Sequence, residues 1–81
     1  MPTPFVLYSR PGCHLCEEML EALRTLLPDD VPGVEVVDVD ADPAARSRYG
    51  HKIPVLLLRG ELVCHGRLDG GEVRKALAML R

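Results

Sequence analysis

The chain has 81 residues, a formal net charge of −2 and a hydrophobic fraction of 47%, which predicts one small domain over residues 1–81. Its interspersed charges indicate neither a nucleic-acid nor a membrane-surface partner, and no apolar run approaches the roughly 18 residues of a membrane span. Without a signal peptide ahead of the first strand, a cytoplasmic protein is expected.

The first predicted elements are a strand and a helix that meet at a turn. Residues 5–8 form an apolar run that is typical of a buried strand. Pro11-Gly12 breaks the strand and turns the chain. From about Cys13 to Leu27, apolar side chains recur as one broad helical stripe, and Pro28 ends the helix.

A second strand and a short helix follow. Residues 28–33 form a turn-rich connector, and the β-branched residues 34–39 predict a strand that is parallel to the first. Asp42-Pro43 provides an N-cap and a first helical proline. The short helix then covers residues 44–49, and Gly50 is its expected cap.

The last third predicts a β-hairpin and a final helix. Residues 53–58 and 61–65 are apolar runs on either side of Arg59-Gly60. Asp69-Gly70-Gly71-Glu72 has the pattern of a capping box, which opens a helix over residues 70–80. The predicted order is β-α-β-α-β-β-α, an α/β fold with a four-stranded mixed sheet and helices on both faces.

Two cysteines lie where the first strand ends and the first helix begins. A thiolate at a helix N-terminus is stabilised by unpaired backbone N–H groups and the helix dipole, so we expect a pKa for Cys13 below the value of about 8.5 of a free cysteine. Cys16 lies one turn further on the same side of the helix. This spacing favours a redox dithiol, and the exchange chemistry would need Cys13 to be partly exposed and Cys16 to be buried.

Other interpretations of the two cysteines are a metal site and a structural pair. A zinc site needs four ligands, usually from a second pair at ligand spacing. The remaining soft ligands form no such pair: His14, His51, His65 and Cys64. No metal site is therefore predicted. Cys64 is interpreted as a buried, inert cysteine, with a third redox thiol near Cys13 as the alternative.

Three segments resemble parts of one family. Residues 8–16, Tyr-Ser-Arg-Pro-Gly-Cys-His-Leu-Cys, resemble a glutaredoxin active site. Residues 53–55 resemble the cis-proline segment of that family, and residues 66–69 resemble the turn into its last helix. The chain is thus similar to small glutaredoxin-like proteins, and the resemblance implies a thioredoxin-like fold over nearly its whole length.

The resemblance also implies roles for individual residues. Cys13 corresponds to the attacking thiolate, Cys16 to the resolving thiol and Pro54 to the cis-proline beside the dithiol. The backbone of Ile53 corresponds to a position that pairs with the bound substrate, and Arg10 to a residue that meets a glutathione carboxylate. The residues expected to contact substrate are Arg10, His14, Leu15, Ile53, Pro54 and Asp69.

The chain departs from glutathione-binding members of the family at three places. His14-Leu15 replaces a Pro-aromatic pair, Lys52-Ile53 replaces Thr-Val, and residues 69–72 keep the types but not the order of the family's last segment. The predicted function is a monomeric thiol–disulfide oxidoreductase that reduces protein or glutathione mixed disulfides without a bound cofactor. Glutathione or a donor of the thioredoxin-reductase type would recycle it.

Two other functions are weighed against this one. The first is a metal or iron–sulfur carrier that uses Cys13 and Cys16, and a proline beside the dithiol would crowd its metal. The second is a binding module that keeps the fold without catalysis, and the presence of both cysteines argues against it.

Overall fold

The computed structural model describes residues 5–26 and 34–79, and it contains the predicted elements in the predicted order. The predicted connector over residues 28–33 and the predicted helix ends at Leu27 and Leu80 lie outside the described residues. The elements are β1 (Phe5–Ser9), α1 (His14–Leu26), β2 (Val34–Asp38), a 3-10 turn (Val39–Ala41), α2 (Pro43–Tyr49), β3 (Val55–Leu58), β4 (Glu61–His65) and α3 (Gly70–Met79).

The four strands form one mixed sheet in the order β2-β1-β3-β4. β1 and β2 are parallel, as the short β-α-β unit predicts. β3 is antiparallel to both β1 and β4. The carboxyl ends of β1, β2 and β4 and the amino end of β3 therefore lie at the same end of the sheet.

The main core lies on one face of this sheet. Phe5 and Leu7 of β1 are paired with Leu58 and Leu56 of β3, so these four buried side chains share a face. Helices α1 and α3 cover that face with three further buried residues: Met19, Leu23 and Val73. The core thus connects the first helix to the last one through the two central strands.

The opposite face is covered by α2. Tyr8 of β1 points away from the main core, and its ring stacks on that of Tyr49 in α2 with 5.1 Å between centroids. Val55, the β3 partner of Tyr8, is fully buried. The predicted arrangement of helices on both faces is confirmed, with α1 and α3 on one side and α2 on the other.

Several element boundaries differ from the predicted ones. β2 ends one residue early because Asp38 starts a tighter turn, in which its Oδ1 accepts the backbone N–H of Asp40 at 2.9 Å. β3 begins only at Val55, since Pro54 has no N–H for the ladder. Gly50 is the C-cap of α2, as predicted; its φ of −56° is right-handed, and its N–H donates to the Arg46 carbonyl at 2.8 Å.

The hairpin contains the predicted two-residue turn and an unpredicted bulge. Arg59 and Gly60 have φ values of 51° and 85°, the left-handed pair that a type I′ turn requires. Leu56 is paired with Cys64 and Leu57 with Leu62, which leaves Val63 as the extra residue of a bulge in β4. Because of the bulge, both Val63 and Cys64 pack against the main core.

The central position of Leu23 gives a stability prediction. Its side chain is fully buried in the main core, so Leu23→Ala should lower the free energy of unfolding by about 2–5 kcal/mol. Leu15 lies in the same helix but is 47% exposed, and Leu15→Ala should cost about 1 kcal/mol or less. Urea unfolding of the oxidised proteins compares the two, and equal losses would contradict the described core.

Candidate active site

The two cysteines of the Cys13-x-x-Cys16 motif are joined as a disulfide between β1 and α1. Their Cα atoms are 5.2 Å apart and their sulfur atoms are at bonding distance. The turn that places them is closed by a 3.1 Å hydrogen bond from the Cys13 N–H to the Arg10 carbonyl. Pro11 and Gly12, with a φ of 77° at the glycine, give this turn the residues and geometry of type II.

Cys13 occupies the capping position of α1. The helix begins at His14, and the backbone N–H of Glu17 donates to the Cys13 carbonyl at 3.2 Å. The backbone N–H of Cys16 points at the Cys13 sulfur, with the nitrogen 3.2 Å from Sγ. The Cys13 sulfur therefore accepts an N–H of the first helical turn, as the side-chain oxygen of an N-cap residue does.

The two sulfur positions differ in their access to solvent. Cys13 is partly exposed, whereas Cys16 is only 2% exposed. The difference follows from the helix, since Cys16 lies on the side that carries the buried Met19 and Leu23. Reagents therefore reach the dithiol at Cys13. His14 and Leu15, between the cysteines, are exposed to solvent.

Pro54 lies beside the end of β1. The Ile53–Pro54 peptide bond is cis, the proline is fully buried, and its carbonyl accepts the Gly66 N–H at 2.8 Å. β1 and β3 are antiparallel, and Tyr8 is paired with Val55. Ser9, which follows Tyr8, therefore lies opposite Pro54, which precedes Val55. The half-buried Ile53 then lies near the start of the dithiol turn.

Arg10 has an intramolecular partner that the sequence reasoning missed. Its Nε and Nη2 donate to the two carboxylate oxygens of Asp40 at 2.7 and 2.9 Å, which is a bidentate ion pair. Asp40 follows β2, and Ser9 of β1 is paired with Asp38 of β2. Since carboxyl ends of parallel strands meet at one edge, the acidic residues after β2 were the signal that could have identified this contact.

The charges of this pair stabilise each other. The hydrogen bond to Asp40 raises the pKa of Arg10 above its ordinary value, with a smaller opposing effect from burial. The hydrogen bond from Arg10 lowers the pKa of Asp40, and the nearby positive charge of Arg46 acts in the same direction. Both side chains are well exposed to solvent, at 40% and 38%, so this pair contributes little to folding stability.

Asp69 serves as the N-cap of α3, as predicted. Its Oδ1 accepts the Glu72 N–H at 3.2 Å, and its carbonyl accepts the Val73 N–H at 3.0 Å. The second half of the predicted capping box is absent from the described hydrogen bonds: the Glu72 carboxylate instead lies 3.5 Å from the Lys75 ammonium. The exposed Asp69 carboxylate is at the same end of the sheet as the dithiol.

Cys64 was predicted to be buried; in the structure it is partly buried and packs against the main core. Burial raises the pKa of its thiol, and a backbone N–H of Asp69 directed at the sulfur acts in the opposite direction to a smaller extent. A protonated thiol is a poor nucleophile. This environment fits the interpretation of Cys64 as an inert cysteine, since the neighbouring Asp69 and Glu72 charges also disfavour a thiolate.

A groove of about 380 Å³ runs along the Cys16 side of the dithiol, between β2 and α1. Its floor is mostly apolar, and Arg10, Glu17 and Asp38 lie at its rim. The structure brings all the predicted site residues to one end of the sheet, with Arg10 and the groove on the β2 side and Pro54 on the β3 side.

Within residues 5–26 and 34–79, no three His, Cys, Asp or Glu side chains group as metal ligands, and no helix could cross a membrane.

Comparisons with known proteins agree with this architecture. The family model of the glutaredoxin-like domain (DUF836) matches residues 5–78. The thioredoxin-like protein YdfQ of Bacillus subtilis is 39% identical over 57 residues, which are 67% of this chain and 50% of YdfQ, so the chain spans half the length of that relative.

Two solved structures extend the comparison to the fold. Protein Ne2328 from Nitrosomonas europaea is 34% identical, with a TM-score of 0.79 over 93% of this chain and 91% of that one. Glutaredoxin C1 from Populus tremula x tremuloides is 17% identical, with a TM-score of 0.63 over 96% of this chain and 75% of that one. The second similarity shows the fold alone, and it confirms the predicted thioredoxin-like fold.

The contrast among the three cysteines predicts an order of alkylation. In the reduced protein near neutral pH, substoichiometric iodoacetamide should modify Cys13 first, because Cys16 is buried and burial raises the pKa of Cys64. Peptide mapping after brief labelling identifies the modified residue. Earlier labelling of Cys16 or Cys64 would contradict the assignment of Cys13 as the accessible nucleophile.

The Arg10–Asp40 pair predicts a pH-dependent contribution to stability. The pKa of Asp40 is lowered in the folded state, so its contribution is complete above the unfolded value of about 3.9 and is lost as pH falls through the folded value. Wild type should therefore melt slightly above Asp40→Asn at pH 6, and the gap should close below about pH 3.9. A gap that widens on acidification would contradict the ion pair. Glu35→Gln, an acid-to-amide change on the exposed part of β2, is the control.

Proposed function

The chain belongs to the glutaredoxin-like domain family, and we propose that it acts there as a thiol–disulfide oxidoreductase. The observation that carries the proposal is the position of the cysteine pair. One sulfur is accessible and capped by a helix N–H, and the other is buried within bonding distance of it. These are the two environments that an attacking thiol and a resolving thiol need.

In the first step, the thiolate of reduced Cys13 attacks one sulfur of a substrate disulfide. A new disulfide forms between Cys13 and the substrate, and the other substrate sulfur leaves as a thiolate that takes up a proton. The N-terminus of α1 favours the thiolate form of Cys13, since the Cys16 N–H and the helix dipole both stabilise a negative sulfur.

In the second step, Cys16 loses its proton and attacks the Cys13 sulfur. The Cys13–Cys16 disulfide forms, the second substrate sulfur leaves, and two electrons have passed from the protein to the substrate. The 5.2 Å separation of the Cα atoms lets this bond form at the existing helix geometry. A thiol donor then reduces the pair again, either glutathione or a donor of the thioredoxin-reductase type.

The rim around Cys13 supplies the surface on which a substrate would lie. The exposed His14 and Leu15 flank the accessible sulfur on the helix side. Ile53, next to the buried Pro54, would offer its backbone to an extended substrate segment, which the family resemblance implies. Disulfide-bearing proteins are the proposed substrates, because an exposed apolar side chain such as Leu15 suits a polypeptide partner.

A turnover assay tests this function. With dithiothreitol as electron donor, wild type should accelerate the reduction of insulin disulfides, and Cys13→Ser should lower the rate to background. Cys64→Ala is the control, and its rate should stay within about twofold of wild type, since Cys64 takes no part in the exchange. Wild-type rates equal to background would contradict the oxidoreductase proposal, and a brown, iron-containing protein would favour the iron–sulfur carrier.

Cys16→Ser isolates the mixed disulfide. Without the resolving thiol, the intermediate between Cys13 and a substrate should accumulate, and mass spectrometry should find the adduct on the Cys13 peptide. Cys13→Ser should form no such adduct. An adduct found only on Cys64 would assign the nucleophile to a different part of the fold.

A further inference from the structure

We propose that Asp40 is a resident carboxylate that occupies Arg10 and thereby selects protein disulfides over glutathione disulfides at this site. The inference rests on the proposed thiol–disulfide exchange and deepens it by naming a determinant of substrate class. The family resemblance assigns to Arg10 the carboxylate of glutathione. In the structure, the carboxylate of Asp40 takes that place.

The contact with Asp40 occupies one of the edges through which the Arg10 guanidinium can bind a carboxylate. Nε and Nη2 form one edge of the guanidinium fork, and each donates to one oxygen of Asp40. Asp38 adds a second negative charge close to the same guanidinium. An incoming carboxylate therefore meets a cation that is already neutralised.

Asp40 is held in place by its own backbone. The Asp38 Oδ1 accepts the Asp40 N–H at 2.9 Å and fixes the 3-10 turn that carries Asp40. The backbone of Arg10 is fixed as well, since its carbonyl closes the dithiol turn. Both partners are positioned before any ligand arrives, and an intramolecular carboxylate of this kind has a high effective concentration against a free one.

The other charged side chains on this side of the dithiol do not weaken the hold of Asp40 on Arg10. Arg46 faces Asp40 and stabilises it, so it helps to retain the resident carboxylate rather than releasing Arg10. Glu17 and Asp38 lie at the rim of the groove next to Cys16. Glutathione, a tripeptide with two carboxylates, therefore finds no unpaired positive charge here. A protein segment can instead dock through Leu15 and backbone contacts.

The test measures the binding of S-methylglutathione, a thioether that cannot undergo thiol exchange. Titration calorimetry or NMR compares wild type, Asp40→Asn, Arg10→Ala and the double variant. Glu35→Gln is the matched control, because it removes the same charge from exposed β2. Melting temperatures verify that each variant is folded.

Asp40→Asn should bind S-methylglutathione about threefold to fivefold more tightly than wild type, the upper part of the range expected for freeing one exposed Arg–carboxylate contact. Glu35→Gln should stay within about twofold of wild type. Arg10→Ala should have little effect alone and should abolish the gain in the Asp40→Asn background, which a double-mutant cycle reports as coupling. Asp40→Asn binding no more tightly than Glu35→Gln would overturn the proposal, and so would an equal loss on Arg10→Ala in both backgrounds.

A kinetic readout separates this inference from the proposed function. For Asp40→Asn, the ratio of kcat/KM for a glutathionylated peptide to kcat/KM for insulin should rise relative to wild type, and for Glu35→Gln it should not. An unchanged ratio would overturn the role of Asp40 while leaving the oxidoreductase proposal in place. An inactive wild type would overturn the oxidoreductase proposal, and the S-methylglutathione titration would still decide whether Asp40 blocks Arg10.

Discussion

The hydrogen bond from the Cys13 N–H to the Arg10 carbonyl is the constraint on which the site depends. It closes the turn between β1 and α1, so that the helix starts directly after Cys13. One consequence is that the Cys16 N–H faces the Cys13 sulfur. Another is that Arg10 leaves the turn on the side of β2, where Asp40 is. A single backbone turn therefore sets the environment of the Cys13 sulfur and directs Arg10 toward Asp40.

The sheet explains why so short a chain can build a site from distant segments. Parallel pairing brings Asp38 level with Ser9, and antiparallel pairing brings Val55 level with Tyr8 and His65. One end of each of the four strands lies at the end of the sheet that carries the dithiol. The Gly66 N–H, bonded to the Pro54 carbonyl, closes the far side of this arrangement. Every segment that contributes to the site is thus attached to a strand whose register is fixed by the buried core.

Much of this could be predicted from the sequence because it is encoded locally. The apolar runs, the Pro11-Gly12 turn and the Asp42 and Asp69 caps each act within a few residues, and the structure contains all of them. The position of the cysteine pair at the head of α1 follows from the same local signals. The burial of Cys16 meets the requirement of the exchange chemistry, and in the structure it follows from the position of Cys16 on the same side of α1 as Met19 and Leu23.

The rest depended on contacts between distant parts of the chain. Arg10 and Asp40 are 30 residues apart, and only the register of two strands brings them together. The bulge at Val63 lies in β4, which contacts α3, and no short sequence pattern predicts it. The raised pKa of Cys64 likewise comes from its partial burial against the core and from the charges at the start of α3, not from its neighbours in sequence.

At Gly12, in the dithiol turn, the backbone conformation rather than the available space restricts which residue can be accommodated. Its φ of 77° lies in the region that residues of L configuration rarely adopt, yet a Cβ built there would have open space within 4 Å. The obstacle to a larger residue is thus the chirality of the backbone itself. A residue of D configuration would reach this φ in its own preferred conformation. Chemical synthesis of the 81-residue chain with D-alanine at position 12 would therefore restrict the unfolded chain while keeping the turn that presents Cys13.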